Sequence, residues 1–191
     1  MLKKTILLAL LSPVWLSACT PLVVGGAVVT AITVAHDRRS AGRVVDDKIL
    51  HVRAQKAIHQ AIKDDKHVKV DVYNGVVLLT GEVLTDADRR LAEDATASVS
   101  GVRKVVNELH VGHPTRVQQR VKDTSISSRV KTALLKVDVP DFDPTRVKVT
   151  TVRGTVYLMG LVTRREAAKV TERIRHLKGV KKVVTVFEYL D

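Results

Sequence analysis

The chain has 191 residues, long enough for one ordinary domain or two small ones. Lys and Arg outnumber Asp and Glu by 32 to 20, so the protein attracts anions such as anionic lipid, acidic glycan or nucleic acid. Aromatic residues make up only 3% of the chain, which argues against the stacking platforms of a single-strand nucleic-acid binder, and the single cysteine excludes an intramolecular disulfide.

The chain begins with a short apolar segment that ends at its one cysteine. Two lysines at positions 3–4 precede an apolar run over residues 5–16, which is too short to span a bilayer as a helix. The run closes on Leu16-Ser17-Ala18-Cys19, which resembles a bacterial lipobox at all four positions. We therefore predict that residues 1–18 are a lipoprotein signal peptide and that Cys19 is acylated. The alternative is an ordinary secretory signal with a chance cysteine. Export in either form removes nucleic acid as a partner.

Residues 19–45 are predicted to form an acylated tether. Its apolar stretch, Leu22 to Ala35, is too short to cross a membrane. This stretch either lies near the lipid surface or packs on the folded part of the chain, and the pattern does not decide between the two.

The remaining sequence is an internal repeat. Residues 46–113 and 123–191 form two copies of one module, joined by a linker over residues 114–122. Asp47 to Arg53 aligns with Asp123 to Arg129, and later glycines coincide once small length differences are allowed. Two similar small domains are therefore expected.

Each module is predicted to begin with a helix and a hairpin. Helical spacing gives the first helix one apolar face. It is formed by Leu50, Ala54, Ala57 and Ala61 in the first copy and by Ile126, Val130, Ala133 or Leu134, and Val137 in the second. Alternating valines then predict a strand, and Asn74-Gly75 predicts a tight turn into the apolar run from Val76 to Leu79. Arg153-Gly154 takes the place of that turn in the second copy.

A second helix and a closing strand complete each module. Thr163 and Glu166 have the spacing of a capping box at a helix start. The inward residues of this helix are predicted to be Val170, Ile174 and Leu177, and in the first copy Leu91, Ala95 and Val99. Gly101 and Gly179 end the helix. The predicted fold is α+β, with the order α-β-β-α-β and two helices packed on a small three-stranded sheet in each module.

This pattern resembles the BON domain, a small module of bacterial envelope and osmotic-stress proteins. The resemblance lies in the Gly-Val-x-x-Val motifs that begin at Gly101 and Gly179, in the strand glycines Gly81 and Gly160, and in the turn glycines Gly75 and Gly154. With the lipobox, the whole chain is similar to the tandem-BON outer-membrane lipoproteins. That resemblance implies a non-enzymatic, lipid-anchored protein that faces the periplasm and supports outer-membrane integrity. Thr20 is the residue type associated with sorting to the outer membrane.

The resemblance also implies that the second module binds anionic phospholipid, of the phosphatidylglycerol or cardiolipin type, through its first helix. Residues 46–113 have a net charge of −1 and residues 116–191 a net charge of +9, which favours the second module. The predicted lipid-binding residues are Ser125, Ile126, Ser128, Arg129, Thr132, Leu135 and Lys136. In the family this helix carries an early tryptophan, and Ser125 stands at the matching position here, so the aromatic anchor is absent.

Other kinds of site are not indicated. The seven histidines are scattered, and the acidic loop of Asp138, Asp141 and Asp143 lacks the glycine turn and terminal glutamate of a calcium loop. No nucleophile-base pattern or phosphate loop stands out, so no catalytic residue, metal or cofactor is predicted. The rival hypothesis is a protein-protein scaffold or chaperone-like adaptor for an outer-membrane assembly factor, without direct lipid recognition.

Overall fold

Two copies of an α-β-β-α-β unit make up most of the protein. The computed structural model describes residues 22–24, 27–29, 37–63 and 67–191. The predicted signal peptide, Cys19 and Thr20 lie outside the described residues. Within the predicted tether, β1 (Leu22–Val24) pairs antiparallel with β2 (Ala27–Val29).

The predicted order of elements is confirmed in both units, and with it the α+β fold class. The first unit consists of α1 (Ala41–Ala61), β3 (Val68–Tyr73), β4 (Val76–Val83), α2 (Asp86–Ala97) and β5 (Lys104–Val111). The second consists of α3 (Val117–Leu134), β6 (Lys148–Val152), β7 (Thr155–Val162), α4 (Arg164–Arg175) and β8 (Lys182–Tyr189), with a 3-10 turn at Pro144–Arg146. In each sheet the middle strand pairs antiparallel with its hairpin partner and parallel with the closing strand, which it reaches through a helix.

Both first helices are longer than predicted. The helix α1 begins at Ala41, within the predicted tether, because the Ser40 side chain caps it by accepting a hydrogen bond from the Arg43 amide. The helix α3 begins at Val117, within the predicted linker. The segment between the units is therefore shorter than residues 114–122, and α3 has nearly two extra turns at its start. The helix ends at Leu134, so Val137, predicted on its apolar face, lies beyond its end and packs against the core of the second unit.

The hairpin turns have the predicted backbone, and a buried aspartate stabilises each of them. Asn74 and Gly75 both have positive φ, as a two-residue hairpin turn requires. The Asp47 carboxylate accepts hydrogen bonds from the amides of these two residues at 2.6 and 2.8 Å. In the second unit Asp123 accepts from Arg153 and Gly154 at 2.9 Å each. The first helix of each unit is thus tied to the hairpin that follows it.

Of the residues predicted on the inward face of α2, Leu91 is wrong, whereas Val99, just beyond the helix, packs against the core as predicted. Leu91 is 46% exposed, whereas Ala92 and Thr96 are fully buried. Small side chains allow α2 to pack closely against the equally buried Ala54 of α1. The Thr96 hydroxyl donates to the Ala92 carbonyl oxygen at 2.7 Å, so its burial leaves no unpaired polar group. In the second unit Val170 and Ile174 are buried as predicted, and Leu177 packs against the same core.

The two sheets pack against each other and form a third apolar core. Its buried members come from both units: Tyr73, Val76, Leu78, Val152, Tyr157 and Met159. At the edge of this interface, Asp71 accepts a hydrogen bond from the Thr150 hydroxyl at 2.7 Å and pairs with the Lys148 ammonium at 2.8 Å. The strand β4 is therefore covered on both faces, by its own helices on one side and by the second unit on the other.

Candidate functional site

Six of the seven predicted lipid-binding residues are exposed, on α3 or in the turn that directly follows it. Five residues of this helix are buried: Asp123, Ile126, Val130, Ala133 and Leu134. The exposed predicted residues are Ser125, Ser128, Arg129, Thr132, Leu135 and Lys136. The prediction is wrong for Ile126. This residue is 3% exposed and packs in the core of the second unit, where it cannot contact lipid. Ile126 therefore belongs to the folding core.

Three exposed aliphatic side chains lie along this face. Val117, Val121 and Leu135 are 64%, 63% and 72% exposed. At 3.6 residues per turn these positions project from the same side of the helix. Sequence reasoning missed Val117 and Val121, because it assigned residues 114–122 to a linker.

Between the aliphatic positions lie hydroxyl side chains that bond to the helix itself. The hydroxyls of Thr124, Ser128 and Thr132 each donate to the carbonyl oxygen four residues earlier, at 3.0, 3.1 and 3.1 Å. Because these hydroxyls already have acceptors, removing them from bulk water costs less than their polarity suggests. We call the line of Val117, Val121, Thr124, Ser128, Thr132 and Leu135 the α3 strip.

Cations flank the α3 strip on both sides. Arg120 and Lys131 project on one side, and Lys122, Arg129 and Lys136 on the other. None of the five forms an ion pair with any residue that the structure describes. The one acid in the helix is Asp123, which is buried and accepts from the hairpin turn. The surface of α3 thus combines short apolar side chains with uncompensated positive charge.

A short segment before α1 holds the two units together, and we call residues 37–39 the strap. The Arg38 guanidinium donates two hydrogen bonds to the Glu166 carboxylate of the second unit, at 2.6 and 2.8 Å. The next residue, Arg39, pairs with Asp47 of the first unit at 2.6 Å and also with Asp37. The strap lies within the predicted tether (residues 19–45), after its apolar stretch, so it ties this part of the tether to both units. Sequence spacing gives no signal for the pair of Arg38 and Glu166, which lie 128 positions apart.

The pKa values of two carboxyl groups that bind the strap arginines, those of Glu166 and Asp37, are lowered. Burial raises the pKa of Glu166, but hydrogen bonds from Arg38 and from the Thr163 amide lower it further, so the pKa lies below its ordinary value of 4.5. Glu166 and Thr163 also form the predicted capping box at the start of α4, which is confirmed. Burial likewise raises the pKa of Asp37, and hydrogen bonds from Arg39 hold it below the ordinary 3.8.

Among the described residues, no group of three His, Cys, Asp or Glu side chains is placed to hold a metal ion. In the acidic loop, the Asp143 carboxylate accepts from the Thr145 amide and hydroxyl at 2.8 and 2.7 Å, as a helix cap does. No helix within the described ranges is both long and apolar enough to cross a membrane.

The fold and the repeated motifs define a tandem-BON protein. The BON domain family matches residues 46–113 and 122–191, and the chain belongs to this family. Outer membrane lipoprotein DolP of Haemophilus influenzae is 36% identical over 192 residues, covering 100% of this chain and 97% of the relative. Together with the lipobox, this full-length similarity assigns the chain to the outer membrane, as a lipid-anchored protein that faces the periplasm.

Other relatives share the same modules. The 21 kDa hemolysin of Actinobacillus pleuropneumoniae is 33% identical over 157 residues, covering 81% of this chain and 80% of the relative. Osmotically-inducible protein Y of Escherichia coli is 34% identical over 149 residues, covering 74% and 72%. A solved C-terminal domain of CdsD, a structural protein of the Type III secretion system of Chlamydia trachomatis, has 13% identity and a TM-score of 0.31 over 71% of this chain and 96% of that chain, too low to bear on fold or function.

Proposed function

We propose that this protein binds anionic phospholipid, of the phosphatidylglycerol or cardiolipin type, through the α3 strip and its flanking cations, and that this non-catalytic binding supports outer-membrane integrity. The observation that carries the proposal is the surface composition of α3. Exposed aliphatic side chains, internally bonded hydroxyls and five cations that pair with no described residue occur together, and no exposed acid interrupts them. A helix with this composition suits the boundary between headgroups and acyl chains.

The expected affinity is low without the anchor. Each cation near an anionic surface contributes about 1 kcal/mol, so five give about 5 kcal/mol, which corresponds to a Kd of roughly 0.2 mM. Partial burial of Val117, Val121 and Leu135 adds to this, in place of the tryptophan that Ser125 replaces. Acylation at Cys19 would keep the helix at high local concentration beside the membrane, so weak binding suffices.

Vesicle binding by variants of α3 and of α1 tests the proposal directly. The chain of residues 20–191 should sediment with phosphatidylglycerol-containing vesicles, should ignore pure phosphatidylcholine vesicles, and should be released by salt. Reversing Arg129 and Lys136 to Glu should abolish that binding. Reversing Arg53 and Lys63 on and beside α1 is the matched control and should change it much less.

The outcomes separate the alternatives. Equal loss in both double variants would mean diffuse electrostatic attraction over the whole protein. Failure of the unmodified chain to bind anionic vesicles would remove the lipid-binding proposal, and the adaptor for an outer-membrane assembly factor would take its place.

A further inference from the structure

A groove of about 900 Å³ lies between the two units, next to the α3 strip. Volumes of this size are typical of small-molecule sites. Aliphatic side chains from the facing edge strands form part of its wall: Val72 of β3 and Val147 and Val149 at β6. Leu134 and Leu135 continue that wall from α3. Residues of both units line it, so neither module would form it alone.

The charges along the groove favour an anion. Its two carboxylates, Asp37 and Asp47, both bind Arg39. Lys48 of α1 and Lys131 of α3 also line the groove, and neither forms an ion pair within the described part of the chain. In the same groove, burial and the positive charge of Lys148 lower the pKa of His51, Asp71 partly opposes this shift, and Lys48 adds a smaller lowering.

The groove and the α3 strip are continuous. Thr132 and Leu135 belong to the strip and also line the groove. A lipid molecule in a membrane against the strip would therefore meet the mouth of the groove without the protein having to turn.

We propose that this groove takes one anionic phospholipid from the membrane that the α3 strip contacts. An acyl chain lies along the wall of Val72, Val147 and Val149, and the phosphate lies near Lys48 and Lys131. The inference rests on the proposed function and extends it, because the protein then binds an individual lipid as well as a lipid surface.

A soluble short-chain lipid tests the groove without a membrane. Residues 20–191 are titrated with dihexanoyl phosphatidylglycerol below its micelle concentration, by calorimetry or by amide NMR shifts. Saturable binding to one site is expected, with shifts on both sides of the groove. Dihexanoyl phosphatidylcholine should bind about tenfold more weakly, because it carries no net charge for the lysines. Glycerol phosphate, which has no acyl chain, should also bind about tenfold more weakly.

Variants on one helix provide the matched comparison. Lys48→Glu should weaken the short-chain lipid by about tenfold or more, whereas Lys56→Glu, on the same helix but outside the groove, should not. Thr145→Trp, at an exposed position of the groove lining, should also weaken binding by narrowing the groove. Circular dichroism and the thermal midpoint show whether each variant is folded.

Each contrary result has one meaning. Binding to anionic vesicles without binding to the monomeric lipid would overturn the groove proposal and leave the proposed function standing. Failure to bind either anionic vesicles or the monomeric lipid would overturn both the groove proposal and the proposed function. Equal affinity for glycerol phosphate would overturn the acyl-chain site. If residues 37–191 bind the monomer and residues 20–191 do not, the apolar stretch from Leu22 to Ala35 occupies the groove instead, and the proposal is wrong.

Discussion

Asp47 and Asp123 carry out the same structural task in the two units. Each lies on the buried side of a first helix and accepts two backbone amides of the following hairpin turn. Such turns leave amides pointing inward, where an unpaired donor is costly. The aspartates recur 76 positions apart in the sequence, yet the repeat alone does not reveal their partners.

Replacing Asp123 with Asn should destabilise the second unit. The Asn amide group would face one of the two turn amides, donor against donor, and about 1–3 kcal/mol of unfolding free energy should be lost. Urea denaturation measures the loss. Asp138→Asn, in the exposed acidic loop, is the control and should stay within about 0.5 kcal/mol. Equal effects at the two positions would show that the turn contacts contribute nothing.

Glu166 should make the strap sensitive to acid. Its pKa is lowered in the folded protein, so the pairing with Arg38 stabilises the protein above pH 4.5 and is lost as the pH falls through the lowered value. Glu166→Gln should cost about 2 kcal/mol at pH 7, and the difference from the natural chain should shrink below pH 4.5. Thermal midpoints at pH 7, 5 and 3 measure this. Glu172→Gln, exposed on the same helix, should show no such cost at pH 7, and a pH-independent loss in Glu166→Gln would contradict the argument.

The helices α3 and α1 occupy equivalent positions in the two units, but their exposed side chains differ. Both helices carry a valine that is 63% exposed, Val121 on α3 and Val52 on α1. The α1 surface also contains the exposed Asp46. If the α3 strip enters the headgroup layer, Val121 loses contact with water on binding, whereas Val52 stays in water.

Val121→Glu should therefore reduce binding to anionic vesicles strongly, because it adds a negative charge that the vesicle surface repels and removes an apolar contact. Val52→Glu should leave binding nearly unchanged. Both side chains are largely exposed, so unfolding free energies should change by no more than about 0.5 kcal/mol. Vesicle flotation of both variants at equal protein concentration is the measurement. A similar reduction at Val52 would place the contact outside α3.

Local patterns predicted the elements better than they predicted the surfaces. The capping box of Thr163 and Glu166 and the turn at Asn74-Gly75 are set by neighbouring residues, and both were predictable. The inward face of α2 was not, because close packing of two helices selected Ala92 over the larger Leu91. The first turns of α3 were missed as well, because their polar composition resembles a linker.

The arrangement of the whole molecule comes from contacts between residues far apart in the chain. The run from Val76 to Leu79 indicates a strand buried on both faces, yet it cannot show that the second cover is the other unit's sheet. The pairing of Arg38 with Glu166 joins residues 128 positions apart. These contacts set where the strap, the groove and the α3 strip lie relative to one another, although no short segment of sequence specifies that arrangement.

The complete protein should therefore associate with the membrane in two separable ways. Cys19→Ala removes the only residue that can take an acyl chain, so the protein should be lost from outer-membrane fractions or accumulate as an uncleaved precursor. Reversal of Arg129 and Lys136 to Glu should leave the acylated protein in those fractions, because the acyl chains suffice for anchoring, and should abolish only the docking of α3. Cell fractionation with immunoblotting measures the first effect, and protease accessibility of α3 in isolated membranes measures the second. Full recovery of Cys19→Ala with the outer membrane would mean that the apolar stretch from Leu22 to Ala35 or the α3 strip anchors the protein without lipid modification.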